Sequence, residues 1–359
     1  MSKMQAVVFP RPNEMELREI AVPRPGPHEA LVQVMSTTIC ATDFKVLAGQ
    51  FPGTRFPHIP GHEWSGLVVA VGASVTQVSV GDRVGVEIHV GCGHCGRCIE
   101  GLNNLCLNYG NVSAGHAHIG FTVNGGLAQY CAVPTKALCR LPQGVDYDTG
   151  AFIDNVGLVL YAVERGRLRP GETVAVIGPG AMGLIAVQVA RAMGAARVVL
   201  AGTRRERLAL LGERGADVLV NVLEAEDPVK AIREAAGGGA DLVVEFAGTQ
   251  EAARLAILSA RRGGRLVLAG ATSPGQSLAG VDLSAIVRGH LEILGSVASG
   301  RGAADRGLAL LASGAVDVSP LITHHFPLDR FQEAWETFKE RRDGAIRVMM
   351  HPNGPMEKG

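Results

Sequence analysis

Six consecutive residues restrict the fold more than any others: Gly178, Pro179, Gly180, Ala181, Met182 and Gly183. Ahead of them runs the β-branched stretch Thr173–Ile177, and behind them the apolar, helix-like stretch Leu184–Met193. Glycine at these spacings lets the backbone approach a pyrophosphate at a helix N-terminus, where unpaired N–H groups and the helix dipole favour an anion. The pattern means little on its own, but between a strand and a helix it opens a doubly wound parallel sheet. Residues 156–296 supply the rest of one, with strand-like runs alternating with amphipathic helical ones. Two of these runs end in Ala247-Gly248 and Ala269-Gly270, loops that face the dinucleotide in such a sheet.

The strand-like run Arg197–Ala201 ends in Gly202, Thr203, Arg204 and Arg205. An NAD-binding sheet usually carries an acid here, about 20 residues past the glycines, to accept from the ribose 2′-OH. Gly202 leaves that place empty, while Thr203, Arg204 and Arg205 can donate to a 2′-phosphate, the guanidinium in bidentate fashion. The expected cofactor is therefore NADP(H) in preference to NAD(H). The competing reading is that the two arginines are a solvated helix start.

A second constraint lies upstream. Cys92, Cys95, Cys98 and Cys106 follow C-x2-C-x2-C-x7-C spacing. Four thiolates on a glycine-rich loop can close a tetrahedral shell around zinc, and with no position left for water such a site is structural. His94, between two of them, is expected to face solvent. The chain of 359 residues holds seven cysteines and its opening reads as a strand, so no signal peptide is expected, and metal binding or catalysis is expected rather than disulfides. Cys131 and Cys139, in apolar surroundings, are expected in the core. Cys40 stands about twenty residues ahead of His62 and Glu63. Sulfur, imidazole and carboxylate together suit one borderline ion such as zinc.

Around these residues, 1 to about 90 read as short strands, Gln5–Phe9, Ala30–Ser36, Glu63–Val71 and Asp82–Glu87, a small all-β pattern. Lys+Arg and Asp+Glu both count 34, which leaves no field to hold nucleic acid or an anionic membrane. Aromatics at 4% disfavour a base-stacking surface. No apolar run reaches the roughly 18 residues of a membrane span. A soluble, cytoplasmic, two-domain protein with a small-molecule partner is expected.

Gly61, His62, Glu63, Gly66, Gly72 and Val75 stand at the spacing of the zinc alcohol dehydrogenase signature, and from the first strand to about Val348 the chain resembles the medium-chain dehydrogenase/reductase family. The resemblance implies an α/β protein: a GroES-like, partly open β-barrel catalytic domain over 1–155, a Rossmann cofactor domain over 156–296, and a return to the catalytic domain over 297–359. It implies two zinc ions per chain, one in the cysteine lobe and one catalytic. Cys40 opens a turn resembling the first catalytic-zinc loop. Thr42 falls where relatives carry the hydroxyl that passes the substrate proton outward, its other reading being a helix N-cap. Asp154, at the start of a helix, falls where sorbitol- and threonine-dehydrogenase-like relatives set a carboxylate towards the catalytic zinc, and its other reading is an N-terminal helix acid. Cys40, His62 and Asp154 are then the three ligands of an open site, with Glu63 either a supporting partner or a fourth ligand that swings off. Asp is one methylene shorter than the Glu of those relatives, so direct ligation and a bridging water both stay open. Lys45 replaces the histidine that ends the proton relay in many relatives, which sends the proton out through water or Glu63.

The run Glu292–Val297 resembles the last sheet strand of the family, whose end, here Ser296 and Val297, meets the nicotinamide. In relatives this strand pairs across a two-fold axis, implying a homodimer or homotetramer. The reaction implied is hydride transfer between a secondary alcohol (polyol, sugar or cyclitol) and its ketone. The alternative is an NAD-dependent polyol or L-threonine 3-dehydrogenase. A zinc-free quinone or enoyl reductase would lack Cys40, His62 or the cysteine loop, and a structural protein on this fold would lack two zinc per chain and turnover. Phe51, Trp64, His116 and His118 are unranked candidates for the substrate pocket.

Overall fold

Strand pairing in the first part of the chain is organised by one long run of alternating and continuous apolar residues, Glu29–Ile39. The computed structural model describes residues 2–272, 275–278 and 280–354. The chain divides into two units: Met1–Asn155 with Ser299–Ala312 and Leu321–Gly359, and Val156–Ala298 with Ser313–Pro320.

In the first unit β1 (Lys3–Val8) and β2 (Glu16–Ala21) pair antiparallel as a ribbon of their own. A larger sheet comprises β3 (Glu29–Ile39), β4 (Trp64–Val71), β5 (Arg83–Val86), β8 (Tyr130–Pro134), β9 (Leu138–Arg140), β16 (Ile322–Pro327) and β17 (Arg347–His351). The short strands β6 (His89–Val90) and β7 (Ala117–His118) pair apart from it. The order is β16-β17-β3-β4-β5-β9. β8 and β17 share one edge of β3, opposite Glu29–Gln33 and Thr37–Ile39, and β4 takes the other edge. The strand expected to stop at Ser36 runs on to Ile39 because β17, from the far end of the chain, pairs with its last turns of pleat. Val32, Val34, Ile39, Trp64, Val68, Phe331, Trp335 and Val348 share the core of this unit. Gly66 is required by packing, since a Cβ there would lie 2.1 Å from Gln33 O on β3.

The second unit holds β10 (Thr173–Ile177), β11 (Arg197–Gly202), β12 (Val218–Asn221), β13 (Ala240–Glu245), β14 (Ala260–Leu268) and β15 (Glu292–Gly295). All pair in parallel, in the order β12-β11-β10-β13-β14-β15. This is the Rossmann order, with its reversal point between β10 and β13. Val174, Ala175 and Val176 are fully buried in succession, as a strand covered on both faces must be. Ser313–Pro320 joins this unit because Gln188 exchanges two hydrogen bonds with the Asp317 backbone, at 3.0 and 2.8 Å. Among the described residues no helix is long and apolar enough to cross a membrane.

Candidate metal and dinucleotide sites

Three strand ends meet in the first unit. Antiparallel pairing sets Thr37 opposite Trp64, and the Thr38 N–H donates to Glu63 O at 2.9 Å. Cys40, just past β3, is thereby held beside His62 and Glu63, just before β4, and ligand atoms of the three lie within 4.8 Å of one another. From the other edge β17 sets Val348 opposite Ile39, which brings Arg347 to Glu63, Nη2 donating to Oε1 at 3.0 Å. Asn155 donates to the same oxygen at 2.7 Å, and the Thr38 hydroxyl to Oε2.

The helix Ala41–Leu47 begins at Cys40, and buried Asp43 in its first turn accepts from the Cys40 N–H at 2.9 Å. The other Asp43 oxygen stands 3.2 Å from His62 Nδ1. That pairing leaves His62 Nε2, 3.9 Å from Glu63 Oε1, as the nitrogen available to an ion. Thr42 lies inside the helix rather than at its cap, correcting that reading, with its hydroxyl 3.6 Å from Cys40 Sγ. Asp154 is set apart from the ligand group. From the first turn of the helix Ile153–Arg165, its short side chain accepts from the Ile88 N–H at 3.3 Å. The three donors the structure gathers are thus Cys40, His62 and Glu63, in place of Cys40, His62 and Asp154.

Burial would raise the Glu63 carboxyl, but Arg347 and His62 outweigh it and hold the group below the usual carboxylate range. Burial would likewise keep His62 neutral, yet Asp43 and Cys40 hold it well above the ordinary imidazole value. Burial pushes Asp154 up to about 7, against the Ile88 N–H and His62, with Glu63 adding to the rise. The half-buried Cys40 and the buried carboxylates therefore draw positive charge into their midst, and a divalent cation would supply it; mixed S, N and O donors suit zinc.

An aromatic wall adjoins His62. The Phe121 ring lies 4.5 Å from the imidazole, with Phe51 and His118 packed on Phe121 at 4.3 and 4.2 Å. Phe51 and His118 thus stand near the group, whereas Trp64 is fully buried in the core and His116 is paired with His89 at 3.3 Å. Burial, then His89 and His62, keep His118 well below the usual imidazole value.

The four lobe cysteines also converge. Cys92 and Cys98 sulfurs are 3.9 Å apart, as are those of Cys95 and Cys106. A tetrahedral zinc at about 2.3 Å from each sulfur needs separations of about 3.8 Å. The Cys95 N–H and the Asn108 amide point at Cys92 Sγ from 3.4 and 3.3 Å, as a thiolate requires. His94 is exposed, with Nδ1 3.2 Å from Cys92 O. Cys131 and Cys139 lie in the core at 3% and 7% exposure.

In the second unit the glycine loop joins β10 to the helix Ala181–Ala192. Gly178 adopts φ +106°, and a Cβ on Gly183 would lie 1.8 Å from Gly178 O, so both glycines serve the tight turn and the close packing of helix on strand. A Cβ on Gly180 meets nothing within 4 Å, and this open ground in front of the helix N-terminus can take a pyrophosphate. Gly202 has a physical reason too: a Cβ there would lie 2.1 Å from Pro179 Cδ, so the proline of this loop excludes any acid at that position. Thr203 is exposed and Arg204, half-buried, caps the short helix Arg205–Leu208. Arg205 is taken up by Glu224 in a two-pronged pair at 2.6 and 2.7 Å. Ala247 backs the loop, its N 2.9 Å from a Cβ on Gly178, and Gly270 abuts Gly248, 2.2 Å from a Cβ to N. Ser296 donates its N–H to Leu268 O at 2.9 Å, just past β15, and Val297 is exposed. Sequence reasoning passed over Asp43, Arg347, Asn155, Thr38 and Phe121.

A GroES-like unit with a sulfur–imidazole–carboxylate group and a Rossmann unit with an open glycine loop are the working parts of a zinc-binding, nucleotide-dependent oxidoreductase. Residues 26–143 match the alcohol dehydrogenase GroES-like domain and residues 181–313 the zinc-binding dehydrogenase domain. The chain belongs to the zinc-dependent alcohol dehydrogenases of the medium-chain dehydrogenase/reductase family, oxidoreductases acting on CH–OH groups. It is 32% identical to the sorbitol dehydrogenase of Bacillus subtilis over 354 residues, 98% of each chain. It is 34% identical to the L-threonine 3-dehydrogenase of Saccharopolyspora erythraea over 349 residues, 96% of this chain and 98% of that one. Among solved structures, a zinc-binding dehydrogenase of Sinorhizobium meliloti bound to NADP superposes with a TM-score of 0.89 at 31% identity, over 98% of this chain and 100% of that one.

Proposed function

We propose that the protein interconverts a secondary alcohol, of the polyol, sugar or cyclitol class, and its ketone, with NADP(H) as hydride carrier, zinc at Cys40, His62 and Glu63, and structural zinc at Cys92, Cys95, Cys98 and Cys106. The observation that carries the cofactor choice is the Pro179 ring against Gly202, which leaves no room for the acid that would accept from a ribose 2′-OH. Arg204 and Thr203 stand beside that place and can donate to a 2′-phosphate. The polyol assignment rests on likeness to the sorbitol dehydrogenase.

Zinc in the first unit supplies Lewis acidity towards the alcohol oxygen. Asp43 fixes the His62 ring so that Nε2 faces the ion, and the Arg347–Glu63 pair holds the carboxylate in place. Thr42, beside Cys40, is the hydroxyl that accepts the substrate proton and hands it on. Glu63, held by Arg347, Asn155 and Thr38, would have its remaining lone pair taken by the ion, so the proton leaves to water beyond Thr42 rather than through Glu63. Asp154, which accepts from the Ile88 N–H at 3.3 Å, would be a further carboxylate for the ion, through a bridging water or directly. The edge strand β15, with Ile293 exposed at 39%, supports a homodimer or homotetramer.

A second reading, an NAD-dependent polyol or L-threonine 3-dehydrogenase, is favoured by the Arg205–Glu224 pair, which withdraws one arginine from the 2′ position. Steady-state kinetics across secondary alcohols, polyols, sugars and threonine with each cofactor separates the two. The expected result is at least tenfold higher kcat/KM with NADP, lost in Arg204→Ala without change in NAD kinetics. Preference for NAD in the wild type, with Arg204→Ala silent, refutes the proposal.

A further inference from the structure

A third group of metal-ligating side chains lies in the first unit, apart from both sites above. Asp148 is on the short helix Tyr147–Gly150, His325 on β16 and His351 at the end of β17. Parallel pairing sets Pro327 opposite His351 and Met349 opposite His325, so the two histidines are diagonal neighbours on adjacent strands. Their rings stack 5.4 Å apart at an angle of 11°, with His325 Nδ1 3.1 Å from His351 Nε2. Asp148 Oδ2 stands 3.9 Å from His325 Nδ1, and Oδ1 accepts from the Ser36 hydroxyl at 2.5 Å. One ligand atom from each of the three falls within 4.8 Å of the others.

We propose that Asp148, His325 and His351 form a further divalent metal site, selective for transition metals of the zinc, nickel and copper kind. Two imidazole nitrogens 3.1 Å apart subtend an angle of about 95–100° at an ion about 2.0–2.1 Å from each, which tetrahedral and six-coordinate ions both tolerate. The 3.9 Å from carboxylate to imidazole is inside the roughly 4.2 Å that two ligands on opposite sides of such an ion span. Ser36 holds one carboxylate oxygen and so aims the other, the outer support that metal-binding carboxylates commonly have. Two imidazoles disfavour calcium and magnesium, which take oxygen, and order the remaining ions copper above nickel and zinc. The His325 side chain is 52% exposed and that of Asp148 28%, so water can fill the other positions and an ion can enter from solvent. Bound there, the ion ties the distant helix of Asp148 to the neighbouring strands β16 and β17, and it sits on the strand that delivers Arg347.

The rival is an Asp–His–His hydrogen-bonded string that binds nothing. Equilibrium dialysis against Ni2+ of the full chain carrying two zinc ions, just enough for the two sites above, with both metals counted, decides between them. The wild type is expected to take up one Ni2+ per chain without losing zinc, and Ni2+ is expected to raise its melting temperature. His325→Ala and Asp148→Asn are expected to weaken uptake at least tenfold and abolish the thermal shift, while His324→Ala, whose Nδ1 faces Thr323 instead, leaves both unchanged. His325 is half-exposed on an edge strand, so its alanine variant folds even where Asp148→Asn does not. Equal uptake by the wild type and His325→Ala, uptake only in exchange for zinc, or no uptake by the wild type overturns the proposal.

Discussion

Replacing Arg347 by Met tests the electrostatic account of the first unit. Arg347 and Glu63 are buried to 7% and 2% exposure of their side chains and meet at 3.0 Å. Removing the guanidinium leaves the carboxylate with hydrogen bonds from Asn155 and Thr38 and with His62 3.9 Å away. Breaking a buried pair in this way costs about 3–5 kcal/mol. The two tryptophans, Trp64 and Trp335, both belong to the first unit, so their emission in urea follows that unit by itself. With an m-value of about 2–3 kcal/mol/M, the midpoint is expected to fall by about 1–2.5 M. Adding Glu63→Gln removes the stranded charge, and the double variant is expected to regain at least half of the loss. The pH dependence has a definite sign. In the wild type Glu63 is held below its ordinary value, so its contribution is present above that value and lost as pH falls through the lower, folded one. In Arg347→Met the largest attraction opposing burial is gone and only His62, Thr38 and Asn155 remain, so the group rises and the variant gains less stability than the wild type as pH climbs. The gap between the two proteins therefore widens from acid to neutral pH. A midpoint within about 0.3 M of the wild type, or a double variant as unstable as the sum of the singles, refutes the reasoning.

Glu87 is pushed up to about 8 by burial, then by Asp154 and Asp305, so its contribution is complete below the ordinary 4.5 and lost as pH climbs through about 8. Glu87→Gln should match the wild type near pH 5 and exceed it by a few kcal/mol near pH 8, and parallel pH profiles by tryptophan emission would count against the assignment. In Gly183→Ala, Gly178 O must retreat at least 1.2 Å, from 1.8 to 3.0 Å, to clear the new Cβ. The variant is expected to bind NADPH more weakly in a fluorescence titration, and misplacement of about 1 Å can cost on the order of 100-fold in rate. Gly180→Ala, whose Cβ meets nothing, should keep wild-type stability yet bind NADPH more weakly; unchanged affinity would place the pyrophosphate elsewhere.

What could be read in advance was what is local. The glycine loop and the cysteine lobe each sit within one turn-rich stretch, and their spacing reflects geometry imposed over a few residues. His62 and Glu63 were legible for the same reason. Asp43 had a readable signal, an acid three residues past a helix-starting Cys40, but the same pattern serves ordinary helix starts. Arg347 had none: 284 residues separate it from Glu63, and only the β17–β3 register joins them. The extension of β3 to Ile39 was hidden for the same cause. Asp154 is read by likeness to a longer carboxylate, and its hydrogen bond from the Ile88 N–H is a contact between segments that the sequence does not signal.

The register of β17 also bears on how the chain is made. Residues 347–351 lie between β16 and β3 in their sheet, so once β8 has covered Glu29–Gln33 a growing polypeptide still keeps the Thr37–Ile39 end of that flank of β3 bare until nearly everything downstream has been translated. The Rossmann unit, complete by Pro320, can fold before the unit that precedes it, reversing the usual vectorial order. Until then the waiting flank is a site at which ribosome-bound chains can pair with one another, and therefore one at which chaperones have work.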